Sequence, residues 1–337
     1  MRGFLMFTSG PFDIDFVVLW VDGSDEKWLQ KRAIYSSTKQ QNNAVRFRDY
    51  GIFKYWFRAV AKYAPWVHHV YLVTDEQIPN WLSIQNSKVS VIDHKSIMPE
   101  DALPTFNSSA IELNIANIPG LSEHFVYFND DMFLNRQVTP MDFFSEDGLP
   151  KDSAVQNAIM PVEDFDHMTA NNVMLINQNF NKYQVLRRHP FRFFNFRYGF
   201  LNVLSICLLP WPRFTRFQDP HVPISFRKSV FEKVLNLHRD AWNETSHNRF
   251  RNRNDNTIWL IRYYQLVTAQ FNPRTPFVGK KYNIGEMKKI VNDINTGKHK
   301  MICINDQNVS MAEFDNLTKQ LRSTFRSKLP QKSEFEK

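Results

Sequence analysis

Phe16-Val17-Val18-Leu19-Trp20-Val21, closed by Asp22-Gly23-Ser24-Asp25, is the stretch whose reading decides the fold. An unbroken apolar run of this length, with no polar alternation, suits a strand covered on both faces, as in a parallel sheet with a helix on either side. The cluster that ends it is turn chemistry and can also start a helix. Downstream the same logic repeats. Between Tyr50 and Tyr63, Phe53, Trp56, Phe57 and Val60 share one face at helical spacing, with Lys54, Arg58 and Lys62 opposite. Val70–Val73, Val89–Ile92 and Phe125–Phe128 are further short apolar strands. Alternating strands and helices predict an α/β fold with a largely parallel central sheet flanked by helices.

Beyond this half the pattern changes. From about Ala154 to Asp219 the chain is rich in Asn, Phe and Arg and reads as an insertion or lid. Helical periodicity returns at Ser229–Leu237 and Asn256–Val267, and Met301–Ile304 is a late strand. Ser310 with Glu313 makes a capping box for a final helix bearing Phe314, Leu317 and Leu321. The expected organisation is an α/β half over 1–155, a basic aromatic insertion over 156–218, a second half over 219–330 that completes the core, and a frayed tail over 331–337.

Composition bounds the class. Of 337 residues 43% are hydrophobic and 23% charged, which excludes disorder and collagen-like repeats. Aromatics reach 15%, with 30 Phe, enough to fill a core and leave aromatic surface over. Cys207 and Cys303 are the only cysteines and lie far apart, which excludes a disulfide scaffold and a four-cysteine zinc site and suits a reducing compartment. No apolar run reaches the roughly 18–20 residues of a membrane-spanning helix. Gly199–Pro212 comes nearest and is broken by Asn202, Ser205 and Pro210, while Phe4–Phe7 is far shorter than a signal-peptide core. These features predict a cytoplasmic protein that touches the inner face of the plasma membrane.

Charge is unevenly spread. The net charge is +8, and from His167 to Gln218 there is no Asp or Glu, while Lys182, Arg187, Arg188, Arg192, Arg197, Arg213 and Arg216 fall inside. Such a stretch suits phosphate, anionic lipid or an acidic polymer; on charge alone, a solvated basic face explains it better.

Three acidic clusters follow expected strands: Asp22 and Asp25, Asn129-Asp130-Asp131, and Asn305-Asp306. In open α/β sheets ligands bind outside the carboxyl ends of the strands, so the three could line one crevice. Adjacent carboxylates such as Asp130 and Asp131 repel unless a cation neutralises them, and oxygen ligands suit Mg²⁺ or Mn²⁺. Asp and Asn also end strands simply because they make good turns, and for any one cluster that explanation is the better one. His221, in Asp219-Pro220-His221-Val222-Pro223, sits in a loop that prolines stiffen, a suitable place for a proton-transferring imidazole; a single loop histidine is more often ordinary surface. His68, His69, His94 and His189 show no ligand spacing, so zinc is not expected. In Arg249–Asp255 (RFRNRND), the guanidinium forks suit a diphosphate, or the segment is a charged helix start. The absence of Walker, GxGxxG and GxSxG patterns argues against P-loop, dinucleotide and α/β-hydrolase chemistry.

Read together, IDFVVLWVDGSDEKW (Ile14–Trp28) and RFRDYGIFKYWFRAVAKYAPWVHHVYLVTDEQIPNWL (Arg46–Leu82) resemble the first and second blocks of the Stealth family. So do VSVIDHKSIMP, LPTFNSSAIELNIANIPGLSEHFVYFNDDMFL and PMDFF, which continue the second block. DPHVPISFRKSVFEKV with RFRNRNDNT resembles the third, and MICINDQN the fourth, so the likeness runs from about residue 13 to 308. That family groups bacterial capsular polysaccharide phosphotransferases with the catalytic subunit of the animal N-acetylglucosamine-1-phosphotransferase that marks lysosomal enzymes.

The resemblance implies a Rossmann-like, glycosyltransferase-A-like core. It implies transfer of a sugar 1-phosphate from a UDP-hexose or UDP-N-acetylhexosamine to a hydroxyl of a glycan acceptor in capsular or exopolysaccharide synthesis, with a phosphodiester as product and UMP as leaving group. It assigns Asp22, Asp25, His221 and Arg251 to catalysis, with Asp22 and Asp25 at the nucleotide-sugar end and either His221, Asp22 or Asp25 as the base, and Asp130, Asp131 and Asp306 to a metal, Mg²⁺ or Mn²⁺. Arg46, Arg48, Asn107, Asn129 and Asn305 are carried over as cofactor-binding. Arg249 and Arg253 leave the register of Arg251 open, and Gln307 stands where the family usually shows Asp or Asn. The basic aromatic stretch is then either a surface for a lipid-linked acceptor, the inner membrane or capsule-assembly proteins, or a core-packing lid. Two other readings compete: a metal-dependent glycosyltransferase that releases UDP, and a non-catalytic protein that binds acidic glycan or nucleic acid. Clustered carboxylates speak against nucleic acid, which they would repel.

Overall fold

The structure, a computed structural model, describes residues 11–36, 48–307 and 309–337. Among these residues the strands are β1 (Ile14–Leu19), β2 (Val70–Thr74), β3 (Val89–Asp93), β4 (His124–Asn129), β5 (Met132–Leu134), β6 (Lys151–Asp152), β7 (Ile224–Arg227), β8 (Asn272–Pro273), β9 (Gly279–Asn283) and β10 (Met301–Asn305). The central sheet has the order β3-β2-β1-β4-β7. Its first four strands are parallel, with Leu19 between Val73 and Asn129. β7 is antiparallel and closes the edge, Ile224 opposite Tyr127. The 3-2-1-4 order reverses direction between β1 and β4, which makes the carboxyl ends of those two strands the switch point where such sheets bind ligands.

Alternation along each strand feeds two cores. Phe16, Val18, Val70, Leu72, Val126 and Phe128 point into one, with the helices Phe53–Tyr63, Met287–Thr296 and Met311–Lys328. Val17, Tyr71, Val73, Phe125 and Tyr127 point into the other, with the helices Lys228–Leu237 and Trp259–Val267. Both faces of the sheet are therefore covered, as the continuous apolar runs require. Asp25 caps the helix Glu26–Tyr35 by accepting the Trp28 N–H at 2.8 Å, and the Ser310 hydroxyl accepts the Glu313 N–H at the start of the last helix.

The late strand β10 does not join the central sheet. It lies in a second sheet of order β5-β10-β9, antiparallel to β5 and parallel to β9, with Cys303 between Met132 and Lys281. Because β5 follows β4 after a two-residue turn, this sheet delivers the end of β10 to the switch point.

The 156–218 stretch is a helical layer rather than a separate lid. Its long helix Asp164–Asn179 buries Met168, Val173 and Ile176, and Phe193, Phe214 and Phe217 join the second core. The expected frayed tail over 331–337 needs correction. Phe335 is 2% exposed, its carbonyl accepts the Ser83 N–H, and Glu336 receives a two-pronged bond from Arg58 at 2.8 Å on each oxygen. One aromatic and one carboxylate suffice to dock a segment whose composition is otherwise that of a loose end.

Candidate active site

The chain leaves β1 at the switch point and turns at Asp22. One Asp22 carboxylate oxygen accepts the Ser24 N–H at 2.9 Å and the Ser24 hydroxyl at 2.6 Å. Its own N–H donates to Gln77 Oε1 at 2.8 Å, which ties the turn to the loop after β2. Asp25 is committed to its helix cap. The Asp22 charge reaches Asp49, whose carboxyl is pushed up by its surroundings first and by Asp22 among the charges.

β4 ends in the turn Asp130-Asp131. Asp130 opens to solvent on one side, while protein atoms crowd it from behind. That crowding first, then the charges of Asp131 and Asp49, push its carboxyl up to about 8, and water on the open side tempers the rise. Burial likewise pushes Asp131 up to about 6, against the pull of the Cys303 thiol and the Lys281 charge. The thiol donates to Asp131 Oδ2 at 3.2 Å. Asp131 Oδ1 is shielded from solvent and has no hydrogen-bond partner among the described residues. An orphaned carboxylate oxygen beside a second carboxylate is a donor set that fits a hard divalent cation. No three His, Cys, Asp or Glu side chains among the described residues are arranged to hold an ion by themselves. Water or ligand phosphate would have to complete the coordination, the usual habit of Mg²⁺.

Asp306 comes to the same turn, and Ile304 donates its N–H to the Asp131 carbonyl at 2.9 Å. The partner of Asp306 in the structure is an arginine. Arg48 forks onto both Asp306 oxygens, at 3.0 and 2.9 Å, and lies 4.1 Å above the Phe314 ring. Each Asp306 oxygen thus carries one Arg48 bond, and the Arg48 guanidinium is held to the carboxylate by both. Asn305 donates to the Asp306 carbonyl at 3.1 Å. Tyr50 is buried against this group, and burial, then Asp306, Asp131 and Asp130, hold its phenol protonated. Arg46 lies outside the described residues.

His221 approaches on a loop locked from both sides. Its φ is +50°, a left-handed conformation that costs a non-glycine residue on the order of 1–3 kcal/mol and persists only where its surroundings impose it. Asp219 supplies the lock: Arg262, 1% exposed, bonds Asp219 at 2.9 Å and Asp152 at 2.7 and 2.9 Å. Arg216 takes the other Asp219 oxygen at 2.8 Å. On the other flank Val222 packs onto Gly279, where a Cβ would stand 2.5 Å from Val222 Cγ1 and 2.9 Å from the Met301 carbonyl. Burial, then the charges of Lys281 and Arg216, hold the His221 imidazole down to about 4. It is therefore neutral near pH 7 and able to accept a proton. Lys281 acts on both His221 and Asp131 from β9.

Of the three arginines in the third block, Arg249 lies over Tyr35 at 4.6 Å and Arg253 pairs with Asp164 at 2.7 Å. Arg251 bonds the Ser108 hydroxyl at 2.8 Å, and its charge reaches Glu112. Burial pushes the Glu112 carboxyl up to about 7, with Arg251 and the Tyr127 hydroxyl pulling against it. Tyr127 donates to Glu112 at 3.0 Å and also meets Asn129, so a polar chain runs from the acidic turn toward Arg251. Asn107 is fully buried. Its Oδ1 accepts the Ser109 N–H at 3.1 Å, and its amide donates to Asp255 at 2.8 Å and to the Asn248 carbonyl at 3.0 Å. Its side chain therefore orders the Arg249–Asp255 loop rather than reaching a ligand.

Sequence reasoning missed Asp49, Tyr50, Lys281 and Glu112. The first two lie inside a quoted block, RFRDYG, and could have been singled out there. Glu112 lies inside another quoted block, LPTFNSSAIELN, and Lys281 carries no pattern of its own.

Comparison with known proteins finds three conserved regions of one family in order: Stealth protein CR1, conserved region 1, over residues 12–40, CR2, conserved region 2, over 46–152, and CR3, conserved region 3, over 220–266. A capsular polysaccharide phosphotransferase WcwK of Streptococcus pneumoniae is 41% identical over 330 residues, covering 96% of this chain and 98% of the relative. A receptor polysaccharide phosphotransferase WefC of Streptococcus gordonii is 38% identical over 337 residues, covering 96% and 98%. Among solved structures, mouse xyloside xylosyltransferase 1 aligns with a TM-score of 0.38 at 10% identity, covering 88% of this chain and 98% of that one. The galactosyltransferase LgtC in complex with donor and acceptor sugar analogs aligns at 0.37 and 9%, covering 94% and 100%. Likenesses this distant carry nothing about the site.

Proposed function

The chain belongs to the Stealth family and is a transferase of phosphorus-containing groups acting in capsular polysaccharide synthesis; from that premise we propose that it moves a sugar 1-phosphate from a UDP-sugar to a hydroxyl of a glycan acceptor. In this reading the acceptor oxygen forms a bond to the sugar-bearing phosphorus. The bond from that phosphorus to the bridging oxygen of the diphosphate breaks, UMP leaves, and a phosphodiester remains. Phosphoryl transfer asks a protein mainly for positioning and for offsetting charge.

The observation that carries the reading is the Asp130–Asp131 turn at the β1–β4 switch point, with one shielded oxygen left unpaired. Asp130 and Asp131 are the residues that would hold a divalent cation, Mg²⁺ or Mn²⁺. Such a cation, when bound, neutralises charge on the diphosphate. His221, neutral and conformationally locked, takes the proton of the acceptor hydroxyl. Asp22 faces the nucleotide-sugar end from the turn after β1. Arg251, whose guanidinium is exposed beside Ser108, offsets charge on the transferred phosphoryl group.

The test is direct. The protein is incubated with Mg²⁺, a panel of UDP-sugars and candidate glycan acceptors. Release of UMP with a new diester signal in ³¹P NMR is the expected result. Release of UDP with a new glycosidic bond overturns the reading in favour of glycosyl transfer.

A further inference from the structure

The outer side of the 183–213 segment is unlike the rest of the surface. Among the described residues the strongly exposed phenylalanines are Phe191, Phe196, Phe200 and Phe277. The first three belong to this segment, at 83%, 82% and 73% exposure, and the fourth stacks on Phe200 with ring centroids 5.8 Å apart. Trp211 and Tyr183 stand exposed beside them in sequence. The short helix Asn202–Cys207 is turned the wrong way round for a water-soluble surface. Ser205 and the preceding Leu201 face inward, while Val203, Leu204 and Ile206 face solvent.

This surface is held by a rigid base. The buried Lys182 amine donates to the carbonyls of Leu208 and Trp211, the latter at 2.9 Å. The Arg192 guanidinium donates to the carbonyls of Ala269 and Phe271. The Ser205 hydroxyl accepts the Gln156 N–H at 2.9 Å. The exposed rings are therefore presented by a braced layer rather than by a loose loop.

Its charge is one-sided. Once Lys182, Arg192 and the Asp219-paired Arg216 are set aside as internally bonded, Arg187, Arg188 and Arg197 remain exposed, as does Arg213, which also donates to the Asn177 carbonyl at 2.8 Å, and there is no Asp or Glu between His167 and Gln218. We propose that this face docks on an anionic phospholipid bilayer, the aromatic and aliphatic side chains entering the headgroup boundary and the guanidiniums meeting lipid phosphate. Charge complementarity selects that occupant. A two-fold contact with a second copy would bring arginine against arginine, since the segment itself supplies no acid and the nearby Glu146 and Asp147 already share a groove with Arg197. Tyr and Trp, apolar in body and polar at one end, suit a membrane–water boundary.

The experiment is co-sedimentation of the full chain with vesicles of phosphatidylcholine alone and of phosphatidylcholine mixed with phosphatidylglycerol, at low and high salt. Binding to the mixed vesicles only, weakened by salt, is expected. Phe196→Ser combined with Phe200→Ser should weaken it by about tenfold or more, with an unchanged circular dichroism spectrum. Arg187→Gln with Arg188→Gln should weaken it less and flatten its salt dependence. Failure to bind the mixed vesicles, equal binding to phosphatidylcholine alone, or wild-type binding by the Phe196→Ser/Phe200→Ser variant overturns the proposal. So does a dimer in light scattering that the same pair of substitutions dissolves, because a second copy would then occupy the face.

Discussion

Asp131 and His221 are the side chains in which position and chemistry meet most closely. Each is held by neighbours that have no part in bond making: Cys303 on one, and Asp219 with Val222 around the other. Replacing His221 with Ala should lower kcat by about 10²–10⁴ while leaving the melting temperature close to that of the parent. Near-normal turnover in the purified variant would remove His221 from the mechanism. Glu112 makes a different prediction. Its carboxyl is raised from 4.5 to about 7, burial being the first cause, so the folded protein holds this proton more tightly than the unfolded chain does. Its favourable contribution is full below about 4.5 and drains away as pH rises toward 7. Glu112→Gln should therefore be more stable than the parent at pH 8 by on the order of 1–3 kcal/mol, and nearly equal to it at pH 4.5. Urea unfolding at the two pH values checks this, and a difference that does not change with pH would contradict it.

At the scale of elements, the helix Trp259–Val267 does more than cover the sheet. Arg262 reaches from it to Asp152 at the end of the first half and to Asp219 before the His221 loop, joining three parts of the chain in one buried network. Removing the cation takes both guanidinium bonds from the buried Asp152 and leaves Asp219 to Arg216 and Tyr263. Arg262→Met should cost about 3–5 kcal/mol in denaturant unfolding, and the surviving folded fraction should bind acceptor poorly through a displaced His221 loop. A loss below about 1 kcal/mol would mean that water replaces the guanidinium. Much at this scale was legible beforehand. The runs at Val70, Val89 and Phe125 and the helical face from Phe53 to Val60 all form the expected elements. β5 and β7 were not anticipated because they are short, and β9, as long as β2, because Gly-Lys-Lys-Tyr-Asn lacks an apolar run. Its pairing with β10 supplies what its composition does not.

At the scale of the whole molecule, the last helix and the residues after it close one side. Helix Met311–Lys328 seals one core, and the residues after it run back along the Trp81–Ser83 segment, where Lys337 donates its N–H to the Trp81 carbonyl at 2.9 Å. Phe335 sits against Phe57, with ring centroids 5.4 Å apart. Phe335→Ala should destabilise the protein by about 3 kcal/mol, measured by thermal or denaturant unfolding. An effect near zero would show that the tail is an ornament. At the same scale, no helix among the described residues is long and apolar enough to cross a membrane.

What the residues determined by themselves is local: which segments are strands, which are helices, and that carboxylates follow three strands. Periodicity and turn chemistry act over a few residues, so they survive in the one-dimensional pattern. What only the tertiary structure decided is who meets whom. Arg48 finds Asp306 across 258 positions, Cys303 finds Asp131 across 172, and the Lys281 charge reaches both Asp131 and His221 without any motif to announce it. The reason is that β10 pairs with β5 in a second sheet instead of extending the first. That choice is made by the packing of distant side chains into one core, a sum over contacts that no short stretch of sequence contains.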